Sequence, residues 1–291
     1  MQAHKEKWLL LMVLTLIWGS SFILIKKSLE HFNPFEVGAL RILISSVLLM
    51  PIALKHLKTF PVKKLKWVIV VALCGNFFPM FLFPLAETRI SSSIAGIINS
   101  MLPIFVIIIG PLLWGITSTK RQMIGVGISF LGACILMLAS KTEGGKIEIV
   151  PILLLLLATV FYAINVTTVK MKLTTIPSKV LSGYVFSVVL FFPSLLTLVF
   201  AGFFRDFNAD ANFWTGLGFV SLLSVFGTGL AMMLNYRLVN ISSPLFSSSV
   251  TLLMPIVAVG WGIIDGESLN AVQVAGAVLI VSGLIFLRAK S

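Results

Sequence analysis

Ten stretches of apolar residues separated by short polar connections run the length of the chain, at roughly 8–25, 37–54, 66–85, 92–114, 122–140, 149–169, 180–201, 213–235, 243–264 and 271–287. Most reach the roughly 18–20 residues with which a helix crosses about 30 Å of hydrocarbon. A helix also satisfies its backbone groups internally, as a bilayer demands. The pattern therefore predicts an all-α integral membrane protein with ten transmembrane helices. Those helices and their loops use nearly all of the 291 residues, so no connection is long enough for a soluble domain. Composition sharpens this: 58% hydrophobic, 11% charged and mean hydropathy +1.07 lie well outside the soluble range.

The pattern also repeats. Gln122, Gly125 and Gly132 recur as Gln273, Gly276 and Gly283, 151 residues later, each set in the last span of five. Pro103 matches Pro255 at an offset of 152, and Trp18 with Lys26 matches Tyr162 with Lys170 at an offset of 144. The chain thus divides into five-helix repeats over 1–145 and 146–291. An odd number of spans obliges the second to cross upside down relative to the first. Inverted repeats of this kind build the two alternately opening sides of many secondary transporters.

The net charge of +12 changes the picture only through its placement. With the N-terminus inside, fifteen basic residues fall on the inner side: Lys5, Lys7, a cluster from Lys55 to Lys66, Lys120, Arg121, Lys170, Lys172, Lys179, Arg237, Arg288 and Lys290. Six fall outside (Lys26, Lys27, Arg89, Lys141, Lys146, Arg205), with nine of the ten acids. The lysine and arginine bias sets orientation, so both termini are expected in the cytoplasm. The charge is topology and not a nucleic-acid patch. The first segment is read as a span, because it is long for a signal peptide and no small-x-small site follows it. Cys74 and Cys134 lie within spans, apart from any Cys-His motif, and read as small hydrophobes.

An ordered set of local signatures resembles the EamA-type family of the drug/metabolite transporter superfamily. The residues are Trp18-Gly19-Ser20-Ser21-Phe22 with Lys26, Arg41 after Pro34 and Phe35, and Ser91-Ser92-Ser93-Ile94-Ala95-Gly96 leading to Pro103. In the second half they are Gly266-Glu267 before Gln273, Gly276 and Gly283. The match spans the whole chain. Thr117-Ser118 replaces the Gly-Glu pair in the first half, and Tyr162-Ala163 stands where Trp18-Gly19 stood, so the halves need not be functionally equivalent. The resemblance implies ten helices and movement of small metabolites, often export, and names no substrate; amino acids or related compounds are the first expected solutes, in a plasma or inner membrane. It implies no cofactor.

A carrier needs a midplane cavity, groups that bind solute there and helices that bend. Pro103 and Pro255, near the middles of spans 4 and 9, read as hinges or as static kinks, since proline removes a backbone hydrogen bond. Asn76, Asn99, Ser100, Asn165, Ser247, Ser248, Ser249 and Thr251 are polar within spans and either line the cavity or bond between helices. Trp18, Phe77, Phe81, Tyr162 and Tyr236 either wall the solute or pack. Arg41, a charge within span 2, must meet an acid, carbonyls or an anionic solute, with Glu36 and Glu87 as nearby carboxylates. Lys26 and Lys170, at span ends on opposite sides, are explained by snorkelling to the interface. Spans 1, 3, 4, 6, 8 and 9 are expected to form the cavity. Spans 5 and 10 are expected to pack small faces together, between the repeats or at a homodimer contact.

No Asp, Glu or His falls mid-span, so no proton relay is expected, with Glu87 and Glu267 at outer span ends as the exceptions. No His-Glu-x-x-His, acid cluster or Gly-x-Ser-x-Gly points to an enzyme or a metal, and the sparse polar set lacks the rings of a channel. The expected partners are a small-molecule solute and the bilayer.

Overall fold

A computed structural model describes residues 2–90, 92–138, 148–205, 210–264 and 271–286. The described residues form helices and no strand. In chain order we label them α1 (Lys5–Leu29), α2 (Pro34–Thr59), α3 (Val62–Glu87), α4 (Ile94–Trp114), α5 (Lys120–Leu138), α6 (Ile149–Leu173), α7 (Ser178–Phe200), α8 (Ala211–Ile241), α9 (Pro244–Ser248 continued by Val250–Ile264) and α10 (Ala271–Phe286). Seven of these, α1–α4 and α6–α8, are long and apolar enough to cross a membrane. Ser91, Lys141, Lys146, Gly266, Glu267, Arg288 and Lys290, singled out above, lie outside the described residues.

Local chemistry sets the helix starts. Asn33 accepts from the Phe35 and Glu36 amides while the Glu36 carboxylate takes the Asn33 amide, and Pro34 occupies a first-turn position where its missing N–H costs nothing. Glu36 is therefore a helix cap. Thr119 and Gln122 exchange the same pair of bonds at the start of α5, so Gln122 of the repeated motif is a cap as well.

Of the two prolines expected within helices, Pro103 differs and Pro255 does not. α4 breaks at Ser100 and Met101, and Pro103 lies in the first turn of the restarted helix Leu102–Trp114. There it initiates a helix and does not bend one. Pro255 is interior to the second piece of α9, whose own break falls at Ser249. The two broken helices cross at these interruptions: the Ser100 hydroxyl lies 3.0 Å from the Thr251 carbonyl.

Four helices carry wide π turns: Leu73–Phe77 in α3, Val169–Leu173 in α6, Tyr184–Leu190 in α7 and Leu223–Leu230 in α8. Each adds a residue to the turn and rotates the remainder of its helix.

Two ends can be distinguished. At the lysine-rich end Arg237 pairs with Glu6 at 2.7 Å, the Tyr184 hydroxyl donates to the His56 carbonyl, and Lys172 lies over the Trp67 and Trp114 rings. At the opposite end His31 meets Asn212, and Arg89 faces Glu148 at 3.6 Å. There too, Lys27 bonds Glu30 at 2.9 Å and holds that carboxyl below its ordinary range.

Helices α5 and α10 meet through their small residues. A methyl group on Gly132 would fall 2.7 Å from the Gly276 carbonyl, and one on Gly283 would fall 2.5 Å from the Gly125 carbonyl. The Ser129 hydroxyl crosses the seam to the Ile280 carbonyl at 2.9 Å. The small faces therefore close between the two halves of one chain.

Candidate functional site

A cavity of about 110 Å³ lies between α1, α2, α3, α4, α6, α8 and α9. Its construction begins with two close helix crossings. Ser21 of α1 approaches Gly227 of α8 so nearly that a methyl group there would fall 2.8 Å from the serine oxygen. Asn165 of α6 approaches Gly75 of α3, where a methyl group would fall 2.4 Å from the amide carbon. Ser21 and Asn165 are 144 residues apart, and Gly75 and Gly227 are 152 apart. One contact is thus built twice, each time on a π turn of the receiving helix.

The α8 π turn also leaves a carbonyl for a side chain, and the Trp18 indole donates to Gly227 at 2.9 Å. That bond fixes Trp18 as a wall. Tyr162, its counterpart in α6, forms another wall and stacks obliquely on Phe83 at 5.9 Å between ring centroids. Phe22, Met80, Leu102 and Met254 add to the apolar lining.

The polar groups in this lining are under-satisfied. Arg41 is only 8% exposed, and its guanidinium donates to the Thr228 hydroxyl at the long distances of 3.3 and 3.4 Å. Among the described residues no carboxylate lies within 4.0 Å of it, although Arg41 feels the charge of Glu87. Of the two carboxylates expected nearby, Glu36 caps α2 and does not pair with Arg41.

Asn99, 5% exposed, points its amide nitrogen at the Met254 sulfur at 3.7 Å, and its carbonyl oxygen has no partner. The carbonyl oxygen of Asn165, 3% exposed, is likewise buried without one. Burying a carbonyl unpaired is costly. The Ser248 and Thr251 hydroxyls donate to carbonyls of their own helix at 2.9 and 3.0 Å, which leaves acceptor lone pairs at the cavity.

Of the residues expected from the sequence, Trp18, Arg41, Asn99, Tyr162, Asn165, Ser248 and Thr251 meet here. Asn76, Phe77 and Phe81 do not. The Asn76 amide donates to the Tyr236 hydroxyl at 3.2 Å and ties α3 to α8, while Phe77 and Phe81 pack on each other at 5.0 Å. The lining also holds Ser21, Gly75 and Asn235, which are not among the residues expected from the sequence. Ser21 and Gly75 had a signal, since each stands one repeat offset from a residue of the other half. Lys170 departs from simple snorkelling: its ammonium donates to the carbonyls of Val239, Asn240 and Ser242 at 3.2, 3.1 and 2.6 Å.

This helical, bilayer-length architecture around a buried cavity matches known proteins. The model of the EamA-like transporter family matches residues 7–138 and again 149–289. The chain belongs to that family of membrane transporters. It is 26% identical over 294 residues to an uncharacterized transporter of Archaeoglobus fulgidus, covering 98% of this chain and 99% of that one. It is 25% identical over 280 residues to the uncharacterized inner membrane transporter YedA of Escherichia coli K12, covering 94% and 88%. A probable amino-acid metabolite efflux pump of Salmonella typhimurium is 26% identical over 293 residues, with 97% and 94% covered. A protein crystal structure with 17% sequence identity shares the fold at a TM-score of 0.73, covering 98% of this chain and 96% of the other.

Proposed function

We propose that the chain is a ten-span carrier of two inverted five-helix repeats, 1–145 and 146–291, that exports amino acids or related metabolites by alternating access. It lies in the plasma or inner membrane with both termini cytoplasmic. One observation carries this reading: a buried, weakly bonded guanidinium and two buried, unpartnered amide oxygens line a single apolar cavity. A zwitterion supplies what each lacks. Its carboxylate takes the Arg41 N–H groups, and its ammonium donates to the oxygens of Asn99 and Asn165. The apolar walls then receive the side chain, Trp18, Tyr162, Phe22 and Phe83 by their faces and edges.

Antiparallel directions of α1 and α6, and the crossing built twice from residues one repeat apart, support the inverted repeat. The relative named as an amino-acid metabolite efflux pump supports the solute class. No carboxylate or imidazole stands among the described lining residues, which supports movement down a gradient or exchange without a proton. Pro103 stands beside the interruption of α4, and Pro255 lies inside the helix that restarts after the interruption of α9; at these crossing interruptions we place the bending of the cycle.

The test is counterflow in proteoliposomes with labelled amino acids, sugars, nucleosides and organic anions, with and without a pH gradient. Saturable exchange of neutral amino acids, indifferent to the gradient, is the expected result. Exchange confined to phosphorylated or other anionic solutes would replace the zwitterion by an anion held through Arg41. Accumulation driven by the pH difference would overturn the uncoupled mechanism.

A further inference from the structure

Lys26 and Lys170 are the repeat-related pair for which the transport reading has so far given no task. Lys170 closes the lysine-rich end of the second half: from the last turn of α6 it reaches the carbonyls that end α8. The last carbonyls of a helix have no partner within it and carry its negative pole, so a half-buried ammonium there is favourable twice over.

The same register can be traced in the first half. Lys170 lies one turn beyond Val166 and Val239 one turn beyond Asn235, and Val166 and Asn235 both line the cavity. One repeat back, Lys26 lies one turn beyond Phe22 and Glu87 one turn beyond Phe83. Phe22 and Phe83 line the cavity as well, with ring centroids 6.5 Å apart. The offsets of 144 and 152 carry Lys170 to Lys26, and Val239, Asn240 and Ser242 to Glu87, Thr88 and Ile90. Those last three residues are the end of α3 and the turn after it.

The two ends nevertheless differ. Lys26 is exposed and makes no hydrogen bond or ion pair among the described residues, while its neighbour Lys27 is held by Glu30.

We infer that Lys26 and Lys170 are alternating clamps: Lys170 on the end of α8 holds the lysine-rich side shut, and Lys26 on the end of α3 holds the opposite side shut in the other half of the cycle. The structure has the first clamp engaged and the second released. The tilted Phe22–Phe83 contact lies beneath the released clamp, so closing that side draws α1 onto α3 across those two rings. Lys26 is thus a positioning residue for a state other than this one. The inference rests on the inverted-repeat reading of the transport cycle.

The experiment labels single cysteines with a membrane-impermeant maleimide in a C74A/C134A background, in oriented proteoliposomes. I25C reports the side that Lys26 would close, and S247C the lysine-rich side. K170Q is expected to raise labelling of S247C by about tenfold and lower that of I25C, since it loses charge-assisted bonds. K170R keeps its donors and should resemble the parent. K26Q should leave resting labelling of I25C at the parental level yet slow solute exchange by about tenfold, because only the other closed state loses its bonds. K26Q removes no bond in this state, so it stays informative if K170Q fails to fold. Equal labelling in K170Q and the parent overturns the clamp, as does K26Q exchanging at the parental rate. Labelling needs no transported solute. Shifted accessibility in a protein that exchanges nothing would therefore sustain the clamps and sink the amino-acid reading.

Discussion

The α5–α10 seam and the central cavity are both built from small and polar residues of repeated motifs, yet they end in opposite states. At the seam every close approach is completed: glycine faces backbone, and the Ser129 hydroxyl finds the Ile280 carbonyl. In the cavity the approaches at Gly75 and Gly227 bring groups near one another and leave Asn99, Asn165 and Arg41 with unused bonding capacity. Polar residues within a membrane therefore do not mark a binding site by themselves. Unused valence marks it.

The sharpest way to break this comparison is to overfill the seam. Gly283→Val would drive its side chain into the Gly125 carbonyl, and a cost of about 3 kcal/mol or more is expected. Melting in detergent should fall steeply, with transport lost only in proportion to folded protein; normal melting would show that the seam yields.

Arg41→Gln should do the reverse. Exchange is expected to fall roughly tenfold to a hundredfold, the worth of a hydrogen bond to a charged group, with melting nearly unchanged. A comparable loss of stability would make Arg41 a structural residue. Asn165→Ala removes an acceptor whose oxygen bonds nothing now, so stability should hold while solute affinity weakens about fivefold. Unchanged affinity would remove Asn165 from the site.

Trp18→Phe keeps the wall and deletes the bond to Gly227. A change of a few-fold in exchange is expected, against a larger one in Trp18→Ala, which also removes the wall. Equal rates in both variants and the parent would dismiss Trp18. The smallest effect concerns pH. With no carboxylate or imidazole among the described lining residues, exchange should be flat between about pH 5.5 and 7.5. An inflection that disappears in Glu87→Gln would assign proton coupling to the carboxylate whose charge Arg41 feels.

Much of this was legible in the residues. Long apolar runs declared the helices because a bilayer tolerates little else. The offset of 144 pointed to Trp18 and Tyr162, and polarity within a long apolar run pointed to Asn165. What escaped was helix phase. Asn76 and Asn235 look alike in a hydropathy plot, yet the π turn at Leu73–Phe77 puts Gly75 on the cavity and carries Asn76 away to Tyr236. Phe77 and Phe81 follow that rotation. Proline was ambiguous for a similar reason: the same residue type starts a helix at 103 and sits inside one at 255, and only the breaks at Ser100 and Ser249 tell them apart.

The crossing built twice is not built from the same residues: one half offers the hydroxyl of Ser21 and the other the amide of Asn165. A solute arriving from one face therefore meets this asymmetric site in a different order from one arriving at the other, and its half-saturation concentration should differ between the faces. Detailed balance forbids an uncoupled carrier from pumping on that account. With equal concentrations on both sides net flux must vanish, so the face with tighter apparent binding must turn over correspondingly more slowly.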